Sequence, residues 1–292
     1  NYDFDKAIDK FEFYSNFLAE NNWDDKRANN RRIRQAKYAK SLFENPVEVD
    51  IVPIKHINTD YAEYRPKLNA EENIMYFTSK RPGGSSDILD DQGEYYEDIY
   101  VSKKKMGVWT EPQLVNDLIN TTESSSCLYL SPDGEHMFLS MVNNDQKLGH
   151  LGRGIYEARL DGNHWNNPEF LDQKVNSKYW ETYASLDIYG NVLFFVSDRE
   201  GGYGGRDIWM IKKLPSGEWA EPQNLGEPIN TEYDEESPYL HPDGKTLYFS
   251  SKGHKVMGGF DIFKSILKDD YTWTSPENMG YPVNTVDDDL FF

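Results

Sequence analysis

The sequence predicts a mainly β fold made of repeated four-stranded antiparallel units behind an α-helical hairpin, and three observations carry that prediction. The first is a hairpin signature within Glu236–Lys264. Two runs rich in Tyr, Phe and Leu, Ser237–His241 and Thr246–Ser251, flank Pro242-Asp243-Gly244. Proline presets φ, aspartate bonds the local backbone and glycine takes positive φ, so the three residues turn the chain back on itself. Gly258-Gly259 then leads into Phe260–Ile266, whose alternation marks a third strand. The second observation is a series of tryptophans, Trp109, Trp165, Trp219 and Trp273, spaced 56, 54 and 54 residues apart and each followed three positions later by proline. The third is an independent series with the same period: Asn58-Thr59, Asn120-Thr121, Asn176-Ser177, Asn230-Thr231 and Asn284-Thr285.

Between these markers lie Asp98-Ile99-Tyr100, Gly154-Ile155-Tyr156, Asp207-Ile208-Trp209 and Asp261-Ile262-Phe263, the third strands of successive units. A fourth strand follows each Trp. One such unit cannot bury both faces alone, so its neighbours must cover them; a four-stranded unit of this length is a β-propeller blade. The expected units are 57–116, 119–174, 175–226 and 227–280. A fifth unit from Pro282 is truncated in its first strand, which implies five blades, or six, in a parent protein. Val47–Ile54 alternates as a strand does and falls in register where a fourth strand belongs, so it is expected to close the ring by completing that last blade.

Residues 1–46 have another texture: no Gly, charged throughout, with Phe4, Ile8, Phe11 and Leu18 on one helical face and Ile33, Ala36, Ala39 and Phe43 on a second helix from about Asp24 to Phe43. Two helices joined by an Asn-rich turn form a hairpin, the end of a tetratricopeptide-like array or a plain helical cap. Aromatic residues make up 14% of the chain, which suits blades that pack face to face through large side chains. The formal charge of −19 argues against a nucleic-acid backbone or an anionic membrane surface as the partner. Cys127 is the one cysteine, so no internal disulfide forms. No apolar run approaches the roughly 20 residues that span a bilayer, and no signal peptide is evident, as expected of a mature or excised segment.

Five residues after each marker asparagine stands Glu63, Ser125, Glu181, Glu235 or Asp289. In a propeller the first strand is innermost, so these acids are expected around one mouth of the central channel. Three readings are open there: structural bonds to the backbone of a neighbouring blade, contact with a protein or peptide, or calcium, although the ligand spacing of a calcium loop is absent. Asp98, Asp207 and Asp261 recur before the third strand, which points to a turn role with loop amides or with Arg81 and Arg199 as partners. Asp133 and Asp243 belong to Pro-Asp-Gly turns. Gly201–Gly205 has the glycines of a phosphate loop but is followed by a strand instead of a helix. The histidines lack metal-ligand spacing, and no nucleophile stands with a base, so no cofactor, metal or catalytic residue is predicted.

The segments SPDGEHMFLS, HPDGKTLYFSSKGHKVMGGFDIF and SDREGGYGGRDIW resemble the WD40-like repeats of TolB-type propellers. The helical start, the Asn-Thr-x-Tyr-x-Glu run at Asn58–Glu63 and the Trp-x-x-Pro-x-Asn-(Leu/Met)-Gly runs at Trp219–Gly226 and Trp273–Gly280 resemble outer-membrane OmpA-family lipoproteins of Bacteroidetes, some of them in type IX secretion and gliding machinery. That resemblance implies a periplasmic, outer-membrane-associated, non-catalytic scaffold with protein partners. Peptidoglycan would be bound only through an OmpA-like domain outside this chain. The alternative is a glycan-active or glycan-binding propeller that works at the channel mouth through Glu63, Glu181 and Glu235.

Overall fold

A computed structural model of the chain describes residues 2–86, 88–143 and 152–292. Two helices come first, α1 (Phe4–Ser15) and α2 (Trp23–Glu44). Each begins at a residue whose side chain accepts a hydrogen bond from a first-turn amide: Asp3 from Lys6 at 3.1 Å and Asn22 from Asp25 at 3.2 Å. They are antiparallel and joined across their contact face by Asn29, whose Nδ2 donates to the Phe11 carbonyl and Ser15 Oγ, both at 2.8 Å.

Four antiparallel sheets follow as four blades. Blade 1 holds β1 (Glu63–Leu68), β2 (Ile74–Ser79), β3 (Asp98–Lys105), β4 (Val108–Trp109) and β5 (Gln113–Leu114). Blade 2 holds β6 (Ser125–Leu130), β7 (His136–Asn143), β8 (Gly152–Asp161), β9 (His164–Trp165) and β10 (Glu169–Phe170). Blade 3 holds β11 (Glu181–Leu186), β12 (Val192–Ser197), β13 (Asp207–Lys212) and β14 (Gln223–Asn224). Blade 4 holds β15 (Glu235–Leu240), β16 (Thr246–Ser251), β17 (Asp261–Ile266) and β18 (Glu277–Asn278). In every blade the long strands pair in chain order and a two-residue fourth strand pairs with the third. Trp109 and Trp165 occupy short strands folded back on the third strand, and Trp219 and Trp273 make the equivalent single bridges to Lys213 and Leu267.

The fourth strands are as expected, but Val47–Ile54 is not a strand. Among the described residues its backbone bonds beyond itself are Val47 N–H to the Tyr281 carbonyl at 2.7 Å and the turn bonds from Ile57 and Asn58 to the Ile54 carbonyl. Alternation makes a segment compatible with a sheet, but only a hydrogen-bonded neighbour makes it a strand, and the described chain places none beside it.

Three apolar clusters are shared between consecutive blades. One joins Ile99, Val115 and Tyr76 of blade 1 to Cys127, Leu139 and Trp165 of blade 2. A second joins Leu128 and Ile155 to Phe195 and Trp209, and a third joins Phe194 and Ile208 to Leu247, Phe249 and Phe263. The fourth is one-sided: Ile57, Met75, Phe77 and Tyr100 lie under Ile54 and Trp109, all from blade 1 and the segment before it. Blades thus pack 1 on 2, 2 on 3 and 3 on 4, and among the described residues there is no comparable packing of blade 4 on blade 1.

Every first strand carries a bulge at its third or fourth residue. In three blades the bulge puts a residue other than glycine in the left-handed region: Arg65, Tyr183 and Ser237 at φ of 53°, 50° and 53°. These strained residues all line the propeller axis, where a bulge turns a side chain into the centre.

The helical hairpin is fixed to blade 4. Arg27 pairs with Glu232 at 2.5 Å, Arg31 donates to the Lys252 carbonyl and stacks on Tyr233 at 3.7 Å, Gln35 donates to the Gly258 carbonyl, and Phe43 meets Tyr281 ring to ring at 4.9 Å. Among the described residues no helix is long and apolar enough to cross a membrane.

Candidate functional site: the axial ends of the blades

Each blade meets the next through one short turn. The amide of Asn58, Asn120, Asn176, Asn230 or Asn284 bonds the carbonyl four residues back, at 2.8–3.0 Å. Two residues of that turn then act in opposite directions. The asparagine reaches back to the preceding blade. Asn120, Asn176, Asn230 and Asn284 each accept from the amide and donate to the carbonyl of one third-strand isoleucine, Ile99, Ile155, Ile208 or Ile262, at 2.7–2.9 Å. A side-chain amide carries one acceptor and two donors, so it replaces a neighbouring strand at that point. All four are buried.

The hydroxyl residue after the asparagine is held by the acid four residues further on. Glu63 accepts from Thr59 N and Oγ1 at 2.9 and 2.6 Å; Glu181 from Ser177 N and Oγ at 2.9 and 2.5 Å; Glu235 from Thr231 N and Oγ1 at 2.8 and 2.7 Å. Asp289 accepts from Thr285 N at 2.5 Å. The serine that ends the second strand, Ser79, Ser197 or Ser251, donates to the same glutamate. These acids therefore do not open onto a shared mouth. Their carboxylates turn into their own repeats, with the Glu181 side chain 1% exposed and that of Glu63 6%.

Arg81 and Arg199 stand beside these glutamates at 3.2 and 3.1 Å and not beside Asp98 and Asp207. Each also donates to the carbonyl before the marker asparagine, Ile57 or Val175. In blade 4 that position is Gly253, and His254 Nε2 sits 2.9 Å from the equivalent Ile229 carbonyl. Glu235 is left with hydroxyl and amide donors but no cation. Burial accordingly pushes its carboxyl up to about 7, against hydrogen bonds from Ser251 and Thr231 that act the other way.

The aspartates before the third strands bond loop amides. Asp98 accepts from Ser85 N and Oγ, Asp207 from Tyr203 N and Asn224 Nδ2, and Asp261 from Met257 N, Gly258 N and Asn278 Nδ2. Burial raises all three, Asp261 to about 6. The glycine run ending at Gly205 has a packing cause. A Cβ on Gly204 would lie 2.4 Å from the Thr231 carbonyl and 2.5 Å from that of Tyr233, because this loop presses against the next blade's turn. Asp133 and Asp243 cap their turns, accepting from Glu135 N at 3.0 Å and from Lys245 N and Thr246 N at 2.8 Å.

The axis itself is nearly filled. About 10 Å³ of open space, room for one water, remains among Arg65, Lys67, Tyr183, Ser237, Phe291 and Phe292. Arg65 donates to Ser126 Oγ at 2.6 Å and lies over the rings of Tyr183 and Phe291 at 4.6 and 5.3 Å. Beside it, Glu97 takes Arg153 and Tyr64, and Glu236 takes Arg206 at 2.6 Å. Burial acts to raise Glu97, but Arg153, the Tyr64 hydroxyl and Arg65 outweigh it and hold the carboxyl below its ordinary range. Burial lowers the Lys67 ammonium to about 8. Among the described residues no group of three or more His, Cys, Asp or Glu side chains is placed to hold a metal ion. A larger cleft of about 370 Å³ lies between α2 and blade 4, among Asp24, Arg27, Arg31, Arg32, Gln35 and Tyr233.

Neither the clamping role of the asparagines nor the axial residues Arg65 and Lys67 is visible as chemistry in the sequence. For the clamps a usable signal was present: each marker asparagine follows its isoleucine by 21 or 22 residues. Arg65 and Lys67 sit in a first strand whose repeat signature is weak, and nothing local distinguishes them.

Four antiparallel sheets of four or five strands, packed face to face around an axis and clamped at each turn, define a β-propeller. Its fold is similar to that of TolB from Acinetobacter baumannii, with a TM-score of 0.50 and 13% identity over 77% of this chain and 45% of that one. The chain thus spans less than half the length of that TolB. A putative TolB from Agrobacterium tumefaciens is also similar (TM-score 0.43, 13% identity, 79% of this chain and 86% of that one), as is the GH93 α-L-arabinofuranosidase of Fusarium graminearum (0.44, 13%, 78% and 69%). At these identities the likeness extends to the fold and no further. No protein-family model matches the chain, and no curated protein sequence does.

Proposed function

We propose that the chain is a non-catalytic protein-interaction scaffold, acting in the periplasm within an outer-membrane-associated complex of the type IX secretion or gliding kind. A further domain outside this chain would supply any link to peptidoglycan. The observation that carries this reading is the aromatic surface on the helical hairpin. Phe13, Phe17 and Trp23 are 65, 68 and 74% exposed along the tip of a helical hairpin, Phe17 in its connecting turn, that Arg27, Arg31, Gln35 and Phe43 fix to blade 4. Large apolar side chains held in place at the surface are the usual anchors of protein contacts, and a rigid mount lowers the entropy lost on binding. The carboxylates near the axis support the same reading, since each is taken up by an arginine or by hydroxyl and amide donors of the fold.

The test is affinity capture from outer-membrane extracts. The wild-type chain should retain a protein partner that a Phe13→Ser, Phe17→Ser, Trp23→Ser triple variant loses with unchanged Tm. Recovery of the wild-type chain as a solitary monomer, or release of reducing sugar from a cell-wall glycan, would count against the scaffold.

A further inference from the structure

The helix α2 runs against the charge of the rest of the chain. The protein has a formal charge of −19, yet residues 26–43 hold seven Lys and Arg and no Asp or Glu, and four of the ten arginines stand there. The lysines are occupied: Lys37 and Lys40 pair with Glu12 and Asp5 of α1, and Lys26 donates to the Glu20 carbonyl. Three of the arginines, Arg27, Arg31 and Arg32, line the cleft of about 370 Å³ against blade 4, with Gln35 and the Tyr233 ring. Two carboxylates stand nearby, and both are accounted for. Asp24 lies in the first turn of α2, where the positive end of the helix favours it, and Glu232 pairs with Arg27. Arg31 lies on the Tyr233 ring at 3.7 Å and donates to the Lys252 carbonyl, one hydrogen bond for a group with five N–H donors. Arg32 is exposed, and among the described residues it has no hydrogen bond or ion pair.

A guanidinium takes a carboxylate through two parallel N–H···O bonds, and stacking on a ring holds its plane ready for them. Arg31 is stacked in that way. Arg27 is available as well: its pair with Glu232 joins side chains 66 and 59% exposed, an arrangement worth little in water, so an incoming carboxylate can take the place of Glu232. The cleft volume falls within the range, roughly 300–1,000 Å³, of pockets that take organic ligands and exceeds what one oxyanion needs. Arg31 and Arg32 are successive residues and leave the helix about 100° apart, so they suit separate acidic groups better than one phosphate. Trp23, one turn before Arg27 and 74% exposed, continues that side of α2 as an apolar surface. We propose that this cleft binds an acidic peptide segment of a protein partner, with one carboxylate held by Arg31 and Arg27 and a second by Arg32. The proposal rests on the scaffold reading for the nature of the occupant, and it gives that partner its charge.

The probe is a rhodamine-labelled peptide, Gly-Glu-Asp-Glu-Glu-Gly, titrated with the full 292-residue chain and followed by anisotropy. Its amide counterpart, with Gln and Asn in place of Glu and Asp, and inorganic phosphate are the controls. Arg32→Glu should weaken binding about tenfold or more. Arg34→Glu makes the same change of charge at an exposed position of α2 outside the cleft, and should leave the affinity within about twofold. Both variants should keep the Tm of the wild type, since among the described residues neither side chain has a partner. Equal weakening by the two would trace the binding to the general charge of α2 and overturn the proposal. So would similar affinity for the amide peptide, displacement of the acidic peptide by equimolar phosphate, or no binding at all. The titration needs no partner protein, so its failure would leave the aromatic surface and the scaffold standing. Failure to capture a protein from outer-membrane extracts would count against the scaffold and not against a measured peptide affinity.

Discussion

The joint between blades 3 and 4 and the turn before blade 1 are built from the same residues and differ in one respect. At the first, Asn230 is buried between two sheets and bonds Ile208 on both sides of its peptide unit, over a cluster that takes Phe194 from one blade and Phe249 from the other. At the second, Asn58 has the same turn and the same glutamate behind it, but no strand to hold and only a one-sided cluster beneath. The turn motif therefore folds by itself, and what it contributes to stability comes from the strand it clamps. A buried amide pair left unsatisfied costs about 1–3 kcal/mol per group, whereas an exposed side chain that bonds its own turn can be replaced by water.

Several substitutions would break or sharpen that contrast. The largest effect is expected at Arg199, whose loss leaves Glu181 buried without its cation and frees the Lys174 and Val175 carbonyls. Arg199→Ala should cost about 3–5 kcal/mol in urea denaturation, and adding Glu181→Gln should recover part of it. If the double variant is no more stable than the single, the charge is not the cause. Next comes Gly204→Ala. Its methyl would meet two backbone carbonyls of the next blade at 2.4 and 2.5 Å, and backbone cannot yield as a side-chain tip can. A loss of about 2–4 kcal/mol is expected, with no comparable loss for Gly190→Ser, where the space is open and only φ is unfavourable.

Glu235 gives a smaller effect with a definite sign. Burial raises its carboxyl from 4.5 to about 7, so the folded protein holds that proton more tightly than the unfolded chain. The raised pKa makes no difference below about pH 4.5, where both states are protonated. Stability then falls as pH rises toward 7, and the penalty stays constant above that. Glu235→Gln should flatten this part of the pH–stability profile and add about 1–3 kcal/mol at pH 8. A profile unchanged by the substitution would mean that Thr231 and Ser251 already stabilise the charged form fully.

Much of the fold was legible in the sequence, and the reasons differ by feature. The period survives because Trp109, Trp165, Trp219 and Trp273 occupy one structural slot, and the third strands are legible to within about two residues at their starts because Ile99, Ile155, Ile208 and Ile262 are all buried. The direction of the acids was not legible. Spacing puts Glu63, Glu181 and Glu235 at the start of the innermost strand, but it does not give the direction of their carboxylates, which turn back onto Thr59, Ser177 and Thr231 four residues earlier instead of out to the axis. Val47–Ile54 is not a strand for a related reason: its alternation describes what the segment can pair with, whereas strand formation requires a partner, and the described residues place none beside it. The asparagines served as a ruler, and their function is to replace strand-to-strand bonds across a gap in chain order of 21 or 22 residues.

The most direct measurement is the stability of two single variants, Asn230→Ala and Asn58→Ala, by urea denaturation under one set of conditions. The clamp account predicts that Asn230→Ala loses about 2–4 kcal/mol, because it strands the buried Ile208 amide and leaves the Ile208 carbonyl to the Leu225 amide alone, and that Asn58→Ala stays within about 0.5 kcal/mol of wild type. Equal losses at the two positions would contradict it, since the turn itself, and not the clamped strand, would then be the source of the stability.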